Sequence, residues 1–198
     1  MYLVADPDHV RDDFVPMVAA SLRGGVTAVQ LRCKNRSDRA FLDLAKSLRK
    51  LTAAHNALFI INDRLDVALA SEADGLHVGV DDMPVADARR LAPHLVIGYS
   101  PERDDQVLAA ASDGASYLGV GPVFGTATKH DAGAAIGLQT ISRRAALAGI
   151  PVIGIGGITH ENAASVVVAG AVGVAVVSAI SMQADPEVAA RSLGMSLQ

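Results

Sequence analysis

The chain has no tryptophan, a single cysteine, and only 4% aromatic residues among its 198. Cys33 alone excludes an internal disulfide framework and a cysteine-based zinc site. The longest apolar run, Val172–Ile180, is too short to span a bilayer. Charge is sparse and evenly spread: the net value is −4 and no block of one sign occurs, so neither a nucleic-acid surface nor a membrane partner is expected. The opening residues MYLVADPDHV carry no basic segment and turn acidic, which argues against a signal peptide. A cytoplasmic location is the expectation, and the possibility of a homo-oligomer is left open.

What is present is small and aliphatic. Hydrophobic residues make up 51% of the chain, chiefly Ala, Val, Leu and Ile, with 18 glycines. That mixture suits parallel strands buried on both faces under helices of small residues. Apolar runs occur at Tyr2–Ala5, Ala28–Leu31, Leu58–Ile61, Gly75–Val80, Leu95–Gly98, Tyr117–Val123, Pro151–Ile155 and Gly173–Ala179. They are continuous rather than alternating, as doubly buried strands are. Helical spacing fills the gaps at Phe14–Leu22, Asp38–Thr52, Asp66–Ser71, Met83–Leu91, Arg103–Ser112, Leu138–Ala148, Glu161–Ala169 and Asp185–Leu193, and Ser37 is placed to cap the longest of them. Similar Gly/Ala joints lead from helix to strand at Gly25, Ala73, Gly114 and Gly170. Repeated βα units give either an open doubly wound sheet or a closed barrel. Eight units without a long insertion predict one (β/α)₈ TIM barrel domain over residues 1–198, although this length is near the lower bound for that fold.

In such a barrel the chemistry sits at the C-terminal ends of the strands. The stretch Leu58–Asp82 places Asn62 and Asp63 after one strand and Asp81 and Asp82 after the next. With no obvious Lys or Arg partner in line, these acids suggest Mg²⁺ and a phosphorylated ligand bound through it; helix capping by Asp63 and Asp82 is the competing reading. Gln30, Arg32 and Lys34 alternate toward one face, which suits a phosphate or diphosphate, or else a solvated basic turn. His77 reads as a packed core histidine, and Ser100 as a phosphate donor or a cap. The loop after the sixth strand offers Thr126, Thr128 and Lys129, with His130 either an acid–base group or a surface residue. Gly156, Gly157 and Ser178 follow the seventh and eighth strands, where barrels commonly cradle phosphate on backbone N–H groups; tight packing of small residues is the alternative. Two anion sites are thus expected, one of them metal-assisted.

At this point the chain resembles the thiamine-phosphate synthase family along nearly its whole length. The resemblance is carried by YLVAD at Tyr2, VQLRCK at Val29, FIINDRLDVAL at Phe59, ADGLHVGVDDMP at Ala73, IGYS at Ile97, YLGVGPVFGTATKHD at Tyr117, PVIGIGGITHEN at Pro151 and GVAVVSAI at Gly173. It implies a (β/α)₈ barrel that joins 4-amino-2-methyl-5-hydroxymethylpyrimidine diphosphate to a thiazole phosphate, releasing diphosphate. It further implies that Gln30, Arg32, Lys34, Asn62 and Lys129 hold the pyrimidine diphosphate and that Asp63 and Asp82 bind Mg²⁺. Ser100 would touch the diphosphate region. Thr126, Thr128, Gly157 and Ser178, with N–H groups around Val177, would hold the thiazole phosphate. Arg32, Ser100 and Lys129 would assist diphosphate departure by a dissociative route that needs no protein nucleophile.

The chain departs from the family pattern at Val80, where Gln is usual, at Asp81 and Cys33, where Glu is usual, and in starting almost at the first strand. The related thiazole tautomerases share the barrel, the GYS segment and the missing Gln, but they carry a histidine shortly after GYS where this chain has Pro101-Glu-Arg-Asp-Asp-Gln. A non-catalytic phosphate-binding barrel is the remaining alternative.

Overall fold

The computed structural model describes residues 1–126 and 133–197. Eight parallel strands close on themselves in chain order: β1 (Tyr2–Ala5), β2 (Ala28–Leu31), β3 (Leu58–Asn62), β4 (Gly75–Val78), β5 (Val96–Tyr99), β6 (Tyr117–Val120), β7 (Val152–Ile155) and β8 (Gly173–Val176). The ring is completed by Tyr2 and Leu3 of β1 lying against Ala175 and Val176 of β8. Helices return the chain between strands: α1 (Phe14–Arg23), α2 (Asp38–Ala54), α3 (Leu65–Ala70), α4 (Val85–Leu91), α5 (Asp104–Ala110), α6 (Gly137–Ala148) and α7 (Ala163–Val168), with α8 (Ser178–Ser181) and α9 (Pro186–Met195) after the last strand. The expected TIM barrel is therefore the fold. Among the described residues no helix is long and apolar enough to cross a membrane.

Successive strand residues point to opposite sides, and here the two sides form two cores. Leu3, Val29, Leu31, Phe59, Ile61, Leu76, Ile97, Leu118 and Val174 belong to the layer between strands and helices. Tyr2, Val4, Ile60, Tyr117 and Ala175 fill the barrel itself. Both sides are buried, which is why the strands read as unbroken apolar runs. The amphipathic α2 begins as expected at Ser37, whose hydroxyl accepts from the Ala40 N–H at 3.4 Å.

Several strands stop earlier than their apolar runs. β4 ends at Val78, not Val80, because the Gly79 N–H turns away to the Asp82 carboxylate. β6 ends at Val120, just before Pro122, which has no N–H to give a ladder. β8 ends at Val176; Val177 leaves extended geometry at φ −116°, ψ −88°, and Ser178 opens the short α8 instead of continuing a strand to Ala179.

Candidate active site

The C-terminal mouth is built from short loops whose acids and bases pair across strands. Arg32, just past β2, donates to the Asp6 carboxylate just past β1, and Asp6 also takes the Asp8 N–H at 2.9 Å. Asp6 is buried and Arg32 partly exposed. Lys34 donates to Asp63, which follows β3. The sequence expectation that the acids lack a cationic partner is thus corrected: Lys34 is distant in the chain, but β2 and β3 are neighbours. The Gln30 amide is buried within the barrel and donates to the Tyr2 hydroxyl at 2.9 Å. Cys33, between Arg32 and Lys34, packs against the outer core, on the face turned away from the mouth.

Asp63 and Asp82 are neighbours. Burial raises the Asp63 pKa above the ordinary carboxylate value; the Lys34 hydrogen bond pulls it back, and hydrogen bonding and charge from Asp82 push it up again. Neither acid caps a helix. α3 starts after Arg64 and α4 after Pro84, with no side-chain cap at either. Asp82 instead closes its own turn through Gly79 N–H at 2.7 Å, and a Cβ at Gly79 would lie 3.2 Å from that same oxygen. Asp63 adopts φ +63°, held by its N–H donating to the His77 carbonyl at 2.8 Å. Asn62 ends β3, partly buried, beside this pair.

Among the described residues no group of three or more His, Cys, Asp or Glu gathers as a closed metal cage. Two adjacent carboxylates that repel one another fit a different ion. Mg²⁺ keeps several waters and takes one or two carboxylates plus substrate phosphates. The donor chemistry of Asp63 and Asp82 therefore suits it, and a cation there would relieve the repulsion.

On the opposite side, the loops after β6 and β7 are stitched together. Val123 N–H donates to Ile155 O at 2.9 Å and Phe124 N–H to Gly156 O at 3.0 Å. The approach requires glycine: at Gly157, φ is +67° and a Cβ would stand 2.6 Å from Gly125 O. Asn162 Nδ2 holds the Gly157 carbonyl at 3.0 Å, fixing that peptide. In the β6 loop Thr126 is the last residue described before position 127, and the loop is described again from Gly133. Thr128, Lys129 and His130 lie outside the described residues. Val177 and Ser178 follow β8, where the turn into α8 is anchored to the β1 loop by Ser181 Oγ donating to His9 O at 2.7 Å.

Sequence reasoning missed the barrel interior. Tyr2 and Tyr117 meet there with hydroxyls 2.8 Å apart. His77 is buried, as expected for a core histidine, but both of its ring nitrogens are engaged: Nδ1 lies 3.0 Å from Tyr117 OH and Nε2 2.8 Å from Ser100 Oγ. Ser100 therefore touches His77 rather than capping α5. Burial pushes Tyr2 up to about 12 and Tyr117 well above its usual value, so both stay protonated. The available signal was two aromatics with polar tips at inward positions of otherwise aliphatic strands.

Burial also lowers the His77 pKa from 6.5 to about 4. The unfolded chain then binds the extra proton first, so stability is complete above the unfolded value and is lost as pH falls from 6.5 toward 4. Urea unfolding is expected to show His77 costing about 3 kcal/mol at pH 4 relative to pH 7. A His77→Gln variant should lack that component; an unchanged acid dependence would show that His77 is not buried as a neutral ring.

Fold and mouth together define a class: a (β/α)₈ barrel whose strand ends carry the acids, cations and glycine turns suited to phosphorylated ligands. The chain belongs to the thiamine monophosphate synthase family, whose model matches residues 1–180. It is 51% identical over 195 residues to a thiamine-phosphate synthase of Roseiflexus castenholzii, covering 98% of this chain and 86% of that one. It is 47% identical over 179 residues to one from Methanococcus maripaludis, covering 90% and 85%. The solved thiamine phosphate pyrophosphorylase of Pyrococcus furiosus superposes with a TM-score of 0.91 at 39% identity, over 99% of this chain and 94% of that one. A 3-hexulose-6-phosphate synthase, at 18% identity and a TM-score of 0.71, shares the barrel alone.

Proposed function

We infer that this chain is a thiamine-phosphate synthase, a transferase that joins the pyrimidine methylene carbon of 4-amino-2-methyl-5-hydroxymethylpyrimidine diphosphate to the nitrogen of a thiazole phosphate and releases diphosphate. The observation that carries the reading is the gathering of Lys34, Asp63 and Asp82 at one mouth in a chain of this family. The substrates are small molecules, and the reading places the enzyme in the cytoplasm.

Asp63 and Asp82 would hold Mg²⁺, which when bound supplies positive charge to the diphosphate oxygens. Lys34, which donates to Asp63, and Arg32, oriented by Asp6, would offer two cations to the diphosphate on the same side. Ser100 and Lys129 would complete the contacts to the leaving diphosphate, while Gln30 and Asn62 would orient the pyrimidine. Thr126, Thr128, Gly157, Val177 and Ser178 would fix the thiazole phosphate so that its nitrogen faces the carbon losing diphosphate. Bond breaking runs ahead of bond making, because the electron-rich aminopyrimidine stabilises the cation left behind. The protein's work is therefore to position two anions and to stabilise departing charge.

Incubation of the purified chain with both substrates should form thiamine phosphate and diphosphate in equal amounts, with neither formed when either substrate is omitted. Isomerisation of a thiazole phosphate without pyrimidine consumption would contradict the reading and identify a tautomerase.

A further inference from the structure

One line of hydrogen bonds runs through the barrel and ends at the mouth. Gln30 Nε2 lies 2.9 Å from Tyr2 OH, Tyr2 OH 2.8 Å from Tyr117 OH, Tyr117 OH 3.0 Å from His77 Nδ1, and His77 Nε2 2.8 Å from Ser100 Oγ. The first four of these residues are buried. The strands make room for the line with glycine: a Cβ on Gly98 would stand 2.2 Å from Tyr117 Cζ and 2.3 Å from His77 Nδ1, and one on Gly119 would stand 3.1 Å from Ser100 Oγ.

Donor counting gives the line a direction. An amide NH₂ only donates, so Tyr2 accepts from Gln30. A phenol has one hydrogen; with the Gln30 amide turned as it stands, the other partner of the Tyr2 hydroxyl among the described residues is Tyr117, and the line assigns the Tyr2 hydrogen there. Among the described residues Tyr117 then has His77 Nδ1 to donate to, and in that direction Nδ1 carries no proton. The ring is left as the neutral Nε2–H form, and Nε2–H donates to Ser100 Oγ. With that oxygen accepting from the ring, the serine's own hydrogen is directed away from His77. Turning the Gln30 amide over would reverse every bond and give Ser100 only lone pairs to offer.

We propose that this line holds His77 as the Nε2–H tautomer and so makes Ser100 a committed hydrogen-bond donor to an anionic phosphate oxygen at the mouth, with Gln30, Tyr2, Tyr117 and His77 as positioning residues behind it. The identity of that oxygen, on the leaving diphosphate, rests on the synthase reading; the tautomer does not.

The tautomer can therefore be read from the substrate-free chain. In ¹⁵N-labelled protein, with His77 assigned by loss of its signals in His77→Gln, Nδ1 is expected to show the shift of an unprotonated ring nitrogen and Nε2 that of a protonated one. The opposite tautomer or an imidazolium would overturn the proposal whatever the enzyme's activity. A double-mutant cycle then tests the coupling. Tyr117→Phe is expected to lower kcat about tenfold, a fraction of the effect of removing a whole oxyanion donor, with KM for the thiazole phosphate unchanged. In a Ser100→Ala background the same substitution should cost nothing further. An equal loss in both backgrounds would show that Tyr117 acts on structure alone and would overturn the relay.

Discussion

Asp82→Ala is expected to lower turnover at saturating Mg²⁺ by at least about 100-fold, the scale of losing one element of transition-state charge stabilisation. Thiazole phosphate should still bind, since its expected contacts lie across the mouth around Gly157 and Ser178. Asp82 has a second duty, accepting the Gly79 N–H at 2.7 Å, so the alanine variant also loses a turn contact. Asp82→Asn separates the two roles. Its amide oxygen can still accept from Gly79 while the charge, and with it the repulsion of Asp63, is gone, so it should unfold at or above the wild-type urea midpoint yet show the same loss of turnover. Wild-type rates in Asp82→Asn would sink the metal assignment.

Arg32→Met is expected to destabilise the chain by about 3 kcal/mol, because it strands the buried carboxylate of Asp6 without its cation. Arg32 is itself about a quarter exposed, with 26% side-chain accessibility, which places the effect at the low end of the range for broken buried pairs. His9 Nδ1 lies 3.4 Å from the same carboxylate and stays beside it in the variant, whose stability is read by urea unfolding. The double variant Asp6→Asn/Arg32→Met should recover much of the loss by removing the stranded charge. A single-variant change within about 0.5 kcal/mol would show that Asp6 does not depend on Arg32.

How far the sequence reveals this protein depends on the range of the physics involved. Period-two alternation placed Gln30, Arg32 and Lys34 on one side, but β2 ends at Leu31, so Gln30 alone lies in the strand while Arg32 and Lys34 follow it and reach the acids after β1 and β3. Apolar continuity located every strand but overran β4, β6 and β8, because hydrophobicity does not record where a ladder loses its donors. Val80 and Ser178 consequently moved out of the strands. Local chemistry suggested caps at Asp63 and Asp82; the partners they actually use are Lys34, 29 positions away, and the turn at Gly79. The Tyr2–Tyr117 contact joins residues 115 positions apart, and only closure of the barrel brings them together. No local pattern could have paired them. The resemblance to a known family supplied roles for Thr126, Gly157 and Ser178 that the loop sequences suggested only as small polar and glycine residues near a phosphate.

The most direct test of the whole account is an end-point assay with both substrates, in Mg²⁺ and in EDTA, detecting thiamine phosphate after oxidation to fluorescent thiochrome. Product in Mg²⁺ and none in EDTA is the predicted result, and it would leave Val80 as a tolerated replacement. Equal product in EDTA would contradict the role given to Asp63 and Asp82, and no product from folded chain would contradict the synthase assignment itself.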